Sequence, residues 1–578
     1  MTATPDQTLV DAAALTSERL RAYAETLTQH APLPGGAIAI AGRDGLLSEV
    51  TFGYADLERR LPVTSEHLFE IGSISKVFTS LLINQLADSG VLSLDERIDE
   101  LLPWVDLGQG RSAPTVRELL SHMSGIVVGS DALPGEQIQV WQLRDREVGD
   151  PSGARFHYSN VGYLMLGLAA AVRSGRPFPD LVNDELLVPM GMHRALPAIT
   201  HAVRSSLAVG YAPAREDRPW VPGDDLAPAP WLEATSGDGN IAANAADLAR
   251  LATLLLGGGE IDGRRVCSAE TIRLMTTPTA NGGEPIEHFD GLPPVDDSRY
   301  GLGINIERVA GSTCVTHGGG MVGYSTFLLV DLTAQVGVVV LTNSNGENLY
   351  AQMLARAAHA DLLGRIGGAD PLELPDPDPR LRQGVGPTGL LGPAAGRFVR
   401  VAADSKDDEL SIRVGDDDDL VVDYDGATGL LYRTLPGRIV TDHPALRTFH
   451  LDFSDQAGID RWTHGPDVWL PSDAPEAARE AAEAGGRPDG IHAALVGQYR
   501  TFSPWFPTLR IVWREGQLLL TAPGGVEAPS EDEVLVAVEP DTFRVGADPW
   551  LPERLIAGPV VDGHAISVSL DGCVYSRT

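Results

Sequence analysis

A serine and a lysine stand three residues apart at the head of an apolar stretch, Phe69-Glu70-Ile71-Gly72-Ser73-Ile74-Ser75-Lys76-Val77-Phe78-Thr79. The pattern predicts a helix running to about Asp88, with Lys76 one turn above Ser73 on the same face. A hydroxyl at a helix N-terminus has free backbone N–H groups and the positive end of the dipole beside it, and a desolvated lysine can act as a base. Serine and lysine are common residues, so the pair needs companions. Pro151-Ser152-Gly153-Ala154-Arg155-Phe156-His157-Tyr158-Ser159-Asn160 supplies the first. A tyrosine near a cationic lysine can ionise enough to take a proton from a serine and pass it to a leaving group, and Asn160 offers an amide to a substrate carbonyl. Val315-Thr316-His317-Gly318-Gly319-Gly320-Met321-Val322-Gly323 supplies the second. Its glycines let a substrate lie along the strand edge, with Gly318 and Gly319 as binding positions, and a backbone N–H here completes an oxyanion hole with that of Ser73.

Gly318, Gly320 and Gly323 also satisfy the G-x-G-x-x-G pattern of dinucleotide sites. That reading needs a helix to follow, whereas Tyr324-Ser325-Thr326-Phe327-Leu328-Leu329-Val330 is strand-like. No G-x-S-x-G nucleophile elbow occurs, which disfavours an α/β-hydrolase.

These residues must be positioned by an α+β framework. Ser17 to His30 has helical spacing at Leu20, Tyr23, Ala24 and Leu27, and strand-like runs follow at Gly36 to Ala41 and Leu47 to Tyr54. A long α-rich middle includes the apolar run Val161 to Val172, which reads as a buried helix. Strands resume with Tyr300 to Glu307, Thr313 to His317, Tyr324 to Asp331 and Gly337 to Thr342. One sheet built from both ends of the segment, with helices inserted between, is expected. Gly367 to Gly389, rich in Pro, Asp and Gly, reads as a linker. Beyond it, short alternating strands at about 8–12-residue spacing indicate small β-barrels. Gly396-Arg397-Phe398-Val399-Arg400 and Gly497-Gln498-Tyr499-Arg500 open two such units, divided by an Ala/Glu-rich helix and turn between Pro475 and Gly490. The expected domains are residues 1–368, catalytic, then a linker 369–389, a barrel 390–472, a linker 473–492 and a second barrel 493–578. Asp416 to Asp419 reads as a solvated hairpin turn rather than a metal loop.

The chain has 578 residues, 43% hydrophobic and 21% charged, with ample length for a large core and no run of apolar residues long enough to cross a membrane. Forty-four basic against 79 acidic residues give a net charge of −35, which repels nucleic acid and anionic lipid. Lys76 and Lys406 are the two lysines of the chain, which draws attention to the one inside the motif. Cys267, Cys314 and Cys573 are odd in number and in no metal-ligand spacing, so they are expected to be core residues, with no disulfide framework and no zinc site. Met1 to Gln7 lacks a signal-peptide pattern, so cytoplasmic residence is expected.

The ordered motifs Ser73-Ile74-Ser75-Lys76, Leu119-Leu120-Ser121-His122-Met123-Ser124-Gly125-Ile126, Tyr158-Ser159-Asn160, Tyr300-Gly301-Leu302-Gly303 and His317-Gly318-Gly319 resemble the serine β-lactamase and penicillin-recognising hydrolase superfamily, on its class C-like branch, over about residues 15–365. The resemblance implies an α/β sandwich with an all-α lobe, and Ser73, Lys76 and Tyr158 as acylation machinery. True class C β-lactamases carry Lys-Thr-Gly where this chain has His317-Gly318-Gly319, a pattern similar to D-aminopeptidases, D-amino-acid amidases and esterases of the superfamily. The two C-terminal barrels resemble those of three-domain D-aminopeptidases, and Pro552-Glu553-Arg554-Leu555 resembles the lipocalin-like tails of such hydrolases. In that family a barrel loop limits substrate length; Ser503-Pro504-Trp505-Phe506-Pro507 or a loop of the first barrel is the candidate, with burial of Trp505 and Phe506 as a barrel plug the alternative. His317 is expected as a proton carrier or orienting donor beside Tyr158, and His122 as structural support.

The resulting expectation is a serine hydrolase. Ser73 attacks an amide or ester carbonyl, the Lys76 and Tyr158 pair takes and returns the proton, the N–H groups of Ser73 and Gly320 hold the oxyanion, and water deacylates. A short D-amino-acid amide or peptide is the expected substrate, with no cofactor, no nucleic-acid or membrane partner and self-association open. The alternatives are a penicillin-binding-protein-type thioesterase that passes the acyl group to an amine, a carboxylesterase of the same superfamily, and a non-enzymatic binding protein.

Overall fold

The computed structural model describes residues 7–578 except 109–111, 131–132, 134, 146–151, 348, 383–394, 402–407, 436 and 457–458. Lys406, Pro151 and residues 383–389 of the expected 369–389 linker lie outside the described residues. The chain forms two compact units by contact: residues 1–212 with 227–375, and residues 213–226 with 376–578.

The first unit begins with helix α1 (Gln7–Leu27), whose Leu20, Tyr23, Ala24 and Leu27 are buried as their spacing predicts. Strands β1 (Gly35–Gly42), β2 (Gly45–Asp56) and β3 (Leu61–Pro62) follow, and then helix α2 (Ser75–Asp88). Helices α3 (Asn160–Ser174) and α4 (Ala245–Leu256) belong to the helical middle. Strands β4 (Val295–Tyr300), β5 (Asn305–Val309), β6 (Ser312–Met321), β7 (Tyr324–Asp331) and β8 (Val336–Thr342) return to the sheet, and α5 (Tyr350–Gly367) closes the unit. The eight strands form one antiparallel sheet in the order β4-β5-β6-β7-β8-β1-β2-β3, so its two ends of sequence meet at the β8–β1 pair. β1, β7 and β8 are buried along their whole length because helices cover the sheet on both faces, and their β-branched and small residues fill that narrow space.

Tyr300 to Glu307, expected as one strand, is two. Gly301-Leu302-Gly303 breaks the run, with the Gly303 N–H on the Leu120 carbonyl at 3.0 Å and the Ser80 hydroxyl of α2 on the Leu302 carbonyl at 2.7 Å. Strand propensity alone does not show this break, because the partners lie some 180 to 220 residues away in sequence.

In the second unit, eight strands from Gly396–Arg400 to Asp467–Pro471 close one barrel, and eight from Gly497–Arg500 to Cys573–Arg577 close another. The α+β fold with two C-terminal barrels is the one expected from sequence. Trp462 and Trp469, paired across neighbouring strands, lead the core of the first barrel with Phe398 and Leu410. Asp416 to Asp418 forms a tight turn between two strands, as expected. Trp505 and Phe506 are buried in the second barrel, Phe506 against Tyr575, which is the plug arrangement. The three cysteines are buried and unpaired.

Residues 213–226 lie inside the expected catalytic stretch but pack in the second unit. Val221 is buried with Tyr432 and Val440, and Asp224 binds both Arg218 and Arg447. Burial opposes the Asp224 charge, but the two guanidiniums outweigh it and hold the carboxyl below its ordinary pKa.

Candidate active site

Ser73 sits in a single tight turn, Gly72–Ile74, that runs into α2. The turn is pressed onto β6: Gly72 has φ +51°, and a Cβ there would lie 2.9 Å from both N and O of Gly320. At Gly319 a Cβ would lie 2.0 Å from the Ile71 carbonyl oxygen. Glycine at these two positions lets the nucleophile turn and the strand touch backbone to backbone. Thr326 on β7 adds a hydrogen bond to the Ile71 carbonyl at 3.0 Å.

The β6–β7 register brings Met321 opposite Tyr324 across a two-residue turn, then Gly320 opposite Ser325, Gly319 opposite Thr326 and Gly318 opposite Phe327. The pair flanking such a turn exchanges hydrogen bonds, and the alternation then leaves the N–H groups of Gly320 and Gly318 directed away from β7. β5 pairs with β6 only as far as Thr316. The Gly320 N–H is therefore free of the sheet ladder beside the Ser73 turn, as an oxyanion donor must be.

Lys76 is buried on α2 and donates to the Ser73 hydroxyl at 2.8 Å and to the Asp238 carbonyl at 2.9 Å. Its ammonium also lies 5.2 Å from the centre of the Tyr158 ring and 5.7 Å from that of Tyr163. Hydroxyls lock the helix in place: Thr79 binds the Gly237 carbonyl, and Ser75 accepts from the Ile241 N–H. Asp238 is buried, with Ser236 donating to its carboxylate.

The Ser73 hydroxyl acts on the Tyr158 phenol, favouring its charged form, so the three expected acylation residues meet. Burial and the charge of Glu284 push the Tyr158 phenol well above its ordinary pKa, with the Ser73 hydrogen bond opposing. The expectation that the lysine ionises this tyrosine is thus corrected: the resting phenol keeps its proton, because desolvation and the neighbouring acidic charges outweigh the Ser73 hydroxyl. Asn160, half-buried, is the first residue of α3, whose cap is the Ser159 hydroxyl on the Gly162 N–H.

His122 braces this segment. Its carbonyl accepts from the His157 N–H at 2.8 Å and its Nδ1 from the Ser159 N–H at 3.0 Å, one on each side of Tyr158, while the imidazole lies 4.2 Å from the Tyr158 ring. The residue has φ +54°, strained for a histidine. Burial drives its pKa well down, with Lys76 and His317 adding, so the ring is neutral and supports the tyrosine.

His317, on β6, is buried with its ring 6.5 Å from that of Tyr158. Its Nδ1 is 2.7 Å from the Gly318 carbonyl, an acceptor only, so Nδ1 carries the proton; Nε2 accepts from the Tyr300 hydroxyl at 3.0 Å. Burial pushes its pKa down to about 3, against the Gly318 bond. Both nitrogens are engaged, Nδ1 by the Gly318 carbonyl and Nε2 by the Tyr300 hydroxyl, which holds the imidazole in one orientation at the head of the glycine strand.

Tyr163, Asp238 and Glu284 are the neighbours that sequence reasoning missed, and Tyr300 was legible only as part of a motif. No spacing signals them, since each reaches the site from a separate element. Glu284 is held by the Tyr300 end of the sheet, and loss of solvation pushes its carboxyl up to about 7, Glu307 adding and Lys76 opposing. A separate buried group, Cys314, Asp331 and His359, brings its ligand atoms within 4.8 Å of one another. His359 binds Asp331 at 2.9 Å, and the Thr333 and Ala334 N–H groups take the other Asp331 oxygen, so the group is closed by its own bonds.

A nucleophilic serine, a buried lysine, a tyrosine and a glycine strand edge, on one antiparallel sheet with a helical lobe, define a serine acyl-transfer centre. The Beta-lactamase family matches residues 20–363, well over half of the chain, and the chain belongs to that family. It is 29% identical over 383 residues to penicillin-binding protein 4 of Amycolatopsis lactamdurans, covering 61% of this chain and 91% of that protein. It is 27% identical over 363 residues to a D-aminopeptidase of Gluconobacter oxydans, covering 59% of this chain and 62% of that one. Among solved structures, the octameric penicillin-binding protein homologue from Pyrococcus abyssi superposes with a TM-score of 0.54 at 23% identity, over 78% of this chain and 99% of that one. These relatives support the serine-hydrolase expectation. Among the described residues, no helix is long and apolar enough to cross a membrane.

Proposed function

We propose that the protein hydrolyses amide or ester bonds through an acyl-enzyme on Ser73, with short D-amino-acid amides or peptides bearing a free amino group as substrates. The observation that carries this reading is the Lys76 to Ser73 hydrogen bond at 2.8 Å beside a Gly320 N–H free of the sheet ladder. Ser73 Oγ attacks the carbonyl carbon while Tyr158 Oη takes the serine proton and gives its own to the leaving nitrogen, so the phenol need never rest ionised. Lys76 lowers the cost of negative charge on Ser73 and Tyr158 oxygens during this relay. The Ser73 and Gly320 N–H groups hold the oxyanion; Asn160 and the edge at Gly318 and Gly319 hold the acyl chain. A water oxygen then attacks the acyl carbonyl carbon, its proton passes through Tyr158 to Ser73 Oγ as the C–Oγ bond breaks, and the acid leaves. His317 positions the strand. The D-aminopeptidase relative and the His-Gly-Gly run at residues 317–319 support the substrate class.

Cytoplasmic action belongs to the proposal, and three unpaired buried thiols suit a reducing compartment. Self-association also belongs to it, in keeping with the octameric state of the Pyrococcus abyssi homologue; light scattering of the purified chain tests it.

The test is an end-product assay on D- and L-alanine p-nitroanilides, a p-nitrophenyl ester, a chromogenic cephalosporin and a peptidyl thioester with a D-residue at its carboxyl end. Release from the D-anilide over the L-anilide is expected. Macrocycle from the thioester with little anilide cleavage would move the protein to the amine-acceptor class, and loss of no activity in Ser73→Ala would end the proposal.

A further inference from the structure

Glu284 is an acidic residue near the reaction centre that the acyl-transfer steps leave without a task, and unlike the Asp238 carboxylate its carboxyl has no hydroxyl donor among the described residues. Its backbone is fixed. The Tyr300 N–H binds the Gly282 carbonyl at 2.9 Å, the Ser298 hydroxyl binds the Glu284 carbonyl at 2.9 Å, and the Glu284 N–H binds Asn305 Oδ1 at 3.2 Å. Gly283 between them is packed so closely that a Cβ would lie 2.5 Å from Ser298 Oγ. The carboxyl is thereby carried on a rigid segment next to Tyr300, whose hydroxyl reaches His317 at the head of the glycine edge. Its negative charge bears on Tyr158, Tyr163 and Tyr300 as well as on Lys76.

Glu284 is half-buried as a residue, and no salt bridge to it is present among the described residues. Lys76, the cation whose charge it feels, is occupied by the Ser73 hydroxyl and the Asp238 carbonyl. A carboxylate in poorly solvated surroundings, without a cation of its own, is a cost to the folded protein unless a ligand supplies the partner. The acyl side of a D-amino-acid amide carries such a partner, an ammonium one carbon from the carbonyl that Ser73 attacks.

We propose that Glu284 is the specificity residue of the site and pairs with the α-ammonium group of the substrate. The inference rests on the amide-hydrolase reading for its choice of ligand. It explains how a centre without the Lys-Thr-Gly strand selects a cationic acyl group: a carboxylate on the segment before β4 attracts the ammonium and turns the carbonyl toward Ser73. Neutral acyl groups gain nothing from it.

The experiment measures binding separately from turnover. Ser73→Ala protein is titrated calorimetrically at about pH 7.5 with D-phenylalaninamide and with N-acetyl-D-phenylalaninamide, and the titrations are repeated in Ser73→Ala/Glu284→Gln and Ser73→Ala/Glu284→Asp proteins. Loss of one charge-assisted hydrogen bond is expected to raise Kd for the ammonium ligand about tenfold or more in the Gln variant, with partial rescue in the Asp variant. Kd for the acetylated ligand is expected to stay within about twofold, the range of a change that touches no contact of that ligand. Equal shifts for both ligands, or no preference for the ammonium ligand in Ser73→Ala, would overturn the assignment. Should the protein bind the ammonium ligand through Glu284 yet hydrolyse no amide, the inference stands and the reaction reading fails. Hydrolysis of D-amides with binding indifferent to Glu284 would overturn the assignment and leave the reaction reading standing.

Discussion

At the scale of single residues, Tyr158 carries two opposite influences. Burial and Glu284 keep its phenol protonated while Ser73 and Lys76 sit within bonding and charge distance. A protonated tyrosine works only as a relay, so Tyr158→Phe removes both acceptance and donation. We expect kcat to fall by about 10²–10⁴-fold with little change in thermal stability, checked by steady-state kinetics and a melt on the same preparation. Glu70, one strand residue before the nucleophile turn, is buried and pushed up to about 8 by loss of solvation. The folded chain therefore binds one proton more than the unfolded chain between the ordinary carboxylate range and about pH 8. Stability from this group is full below that window and lost as pH rises through it. Glu70→Gln is expected to flatten this loss and to exceed the parent by roughly 4 kcal/mol above pH 9, read from denaturant unfolding at several pH values. The serine, lysine, tyrosine and histidine of the site were legible because each sits in a short motif. Asp238 and Glu284 were not, since they enter through a backbone carbonyl and a long-range charge that leave no local pattern.

At the scale of elements, the site depends on two backbones in contact. The glycine run on β6 looks uniform in sequence, but its members differ. A Cβ at Gly319 meets the Ile71 carbonyl at 2.0 Å, whereas at Gly318 the nearest atom is a Phe327 ring carbon at 3.8 Å. Gly319→Ala is expected to push the strand from the Ser73 turn and cut kcat by about 10²–10³-fold, the cost of spoiling an oxyanion donor. Gly318→Ala is expected to stay within a few-fold of the parent, and comparing the two in one assay checks the packing argument. Helical spacing revealed α1, whose burial is periodic, and β1, β7 and β8 showed as apolar runs because they are buried along their whole length. The strand pattern failed at Tyr300 to Glu307, where Ser80 and Leu120 from distant helices turn a strand-like run into a break. His122 illustrates the same limit: its motif was visible, but its positive φ and its grip on both neighbours of Tyr158 are tertiary facts.

At the scale of the molecule, the linker composition and strand spacing showed two barrels after a catalytic segment, and closed eight-stranded barrels are present. The excursion of residues 213–226 into the second unit was not legible. It rests on Val221 among Tyr432 and Val440 and on Asp224 bound by Arg447, contacts made across more than 200 residues, with Arg218 adding a local partner to Asp224. Asp224→Ala leaves two half-sheltered guanidiniums without their carboxylate. We expect a loss of about 2 kcal/mol in the transition of the second unit, measured by denaturant unfolding followed through its tryptophans.

The central claim is that Ser73 becomes covalently acylated. The most direct measurement is rapid quenching of the protein with a p-nitrophenyl ester of a D-amino acid, followed by intact mass and peptide mapping. The account predicts a burst of p-nitrophenol equal to the enzyme present and an acyl mass on the peptide bearing Ser73, both absent from Ser73→Ala. A steady release with no adduct, or an adduct that persists on another residue in Ser73→Ala, would contradict it.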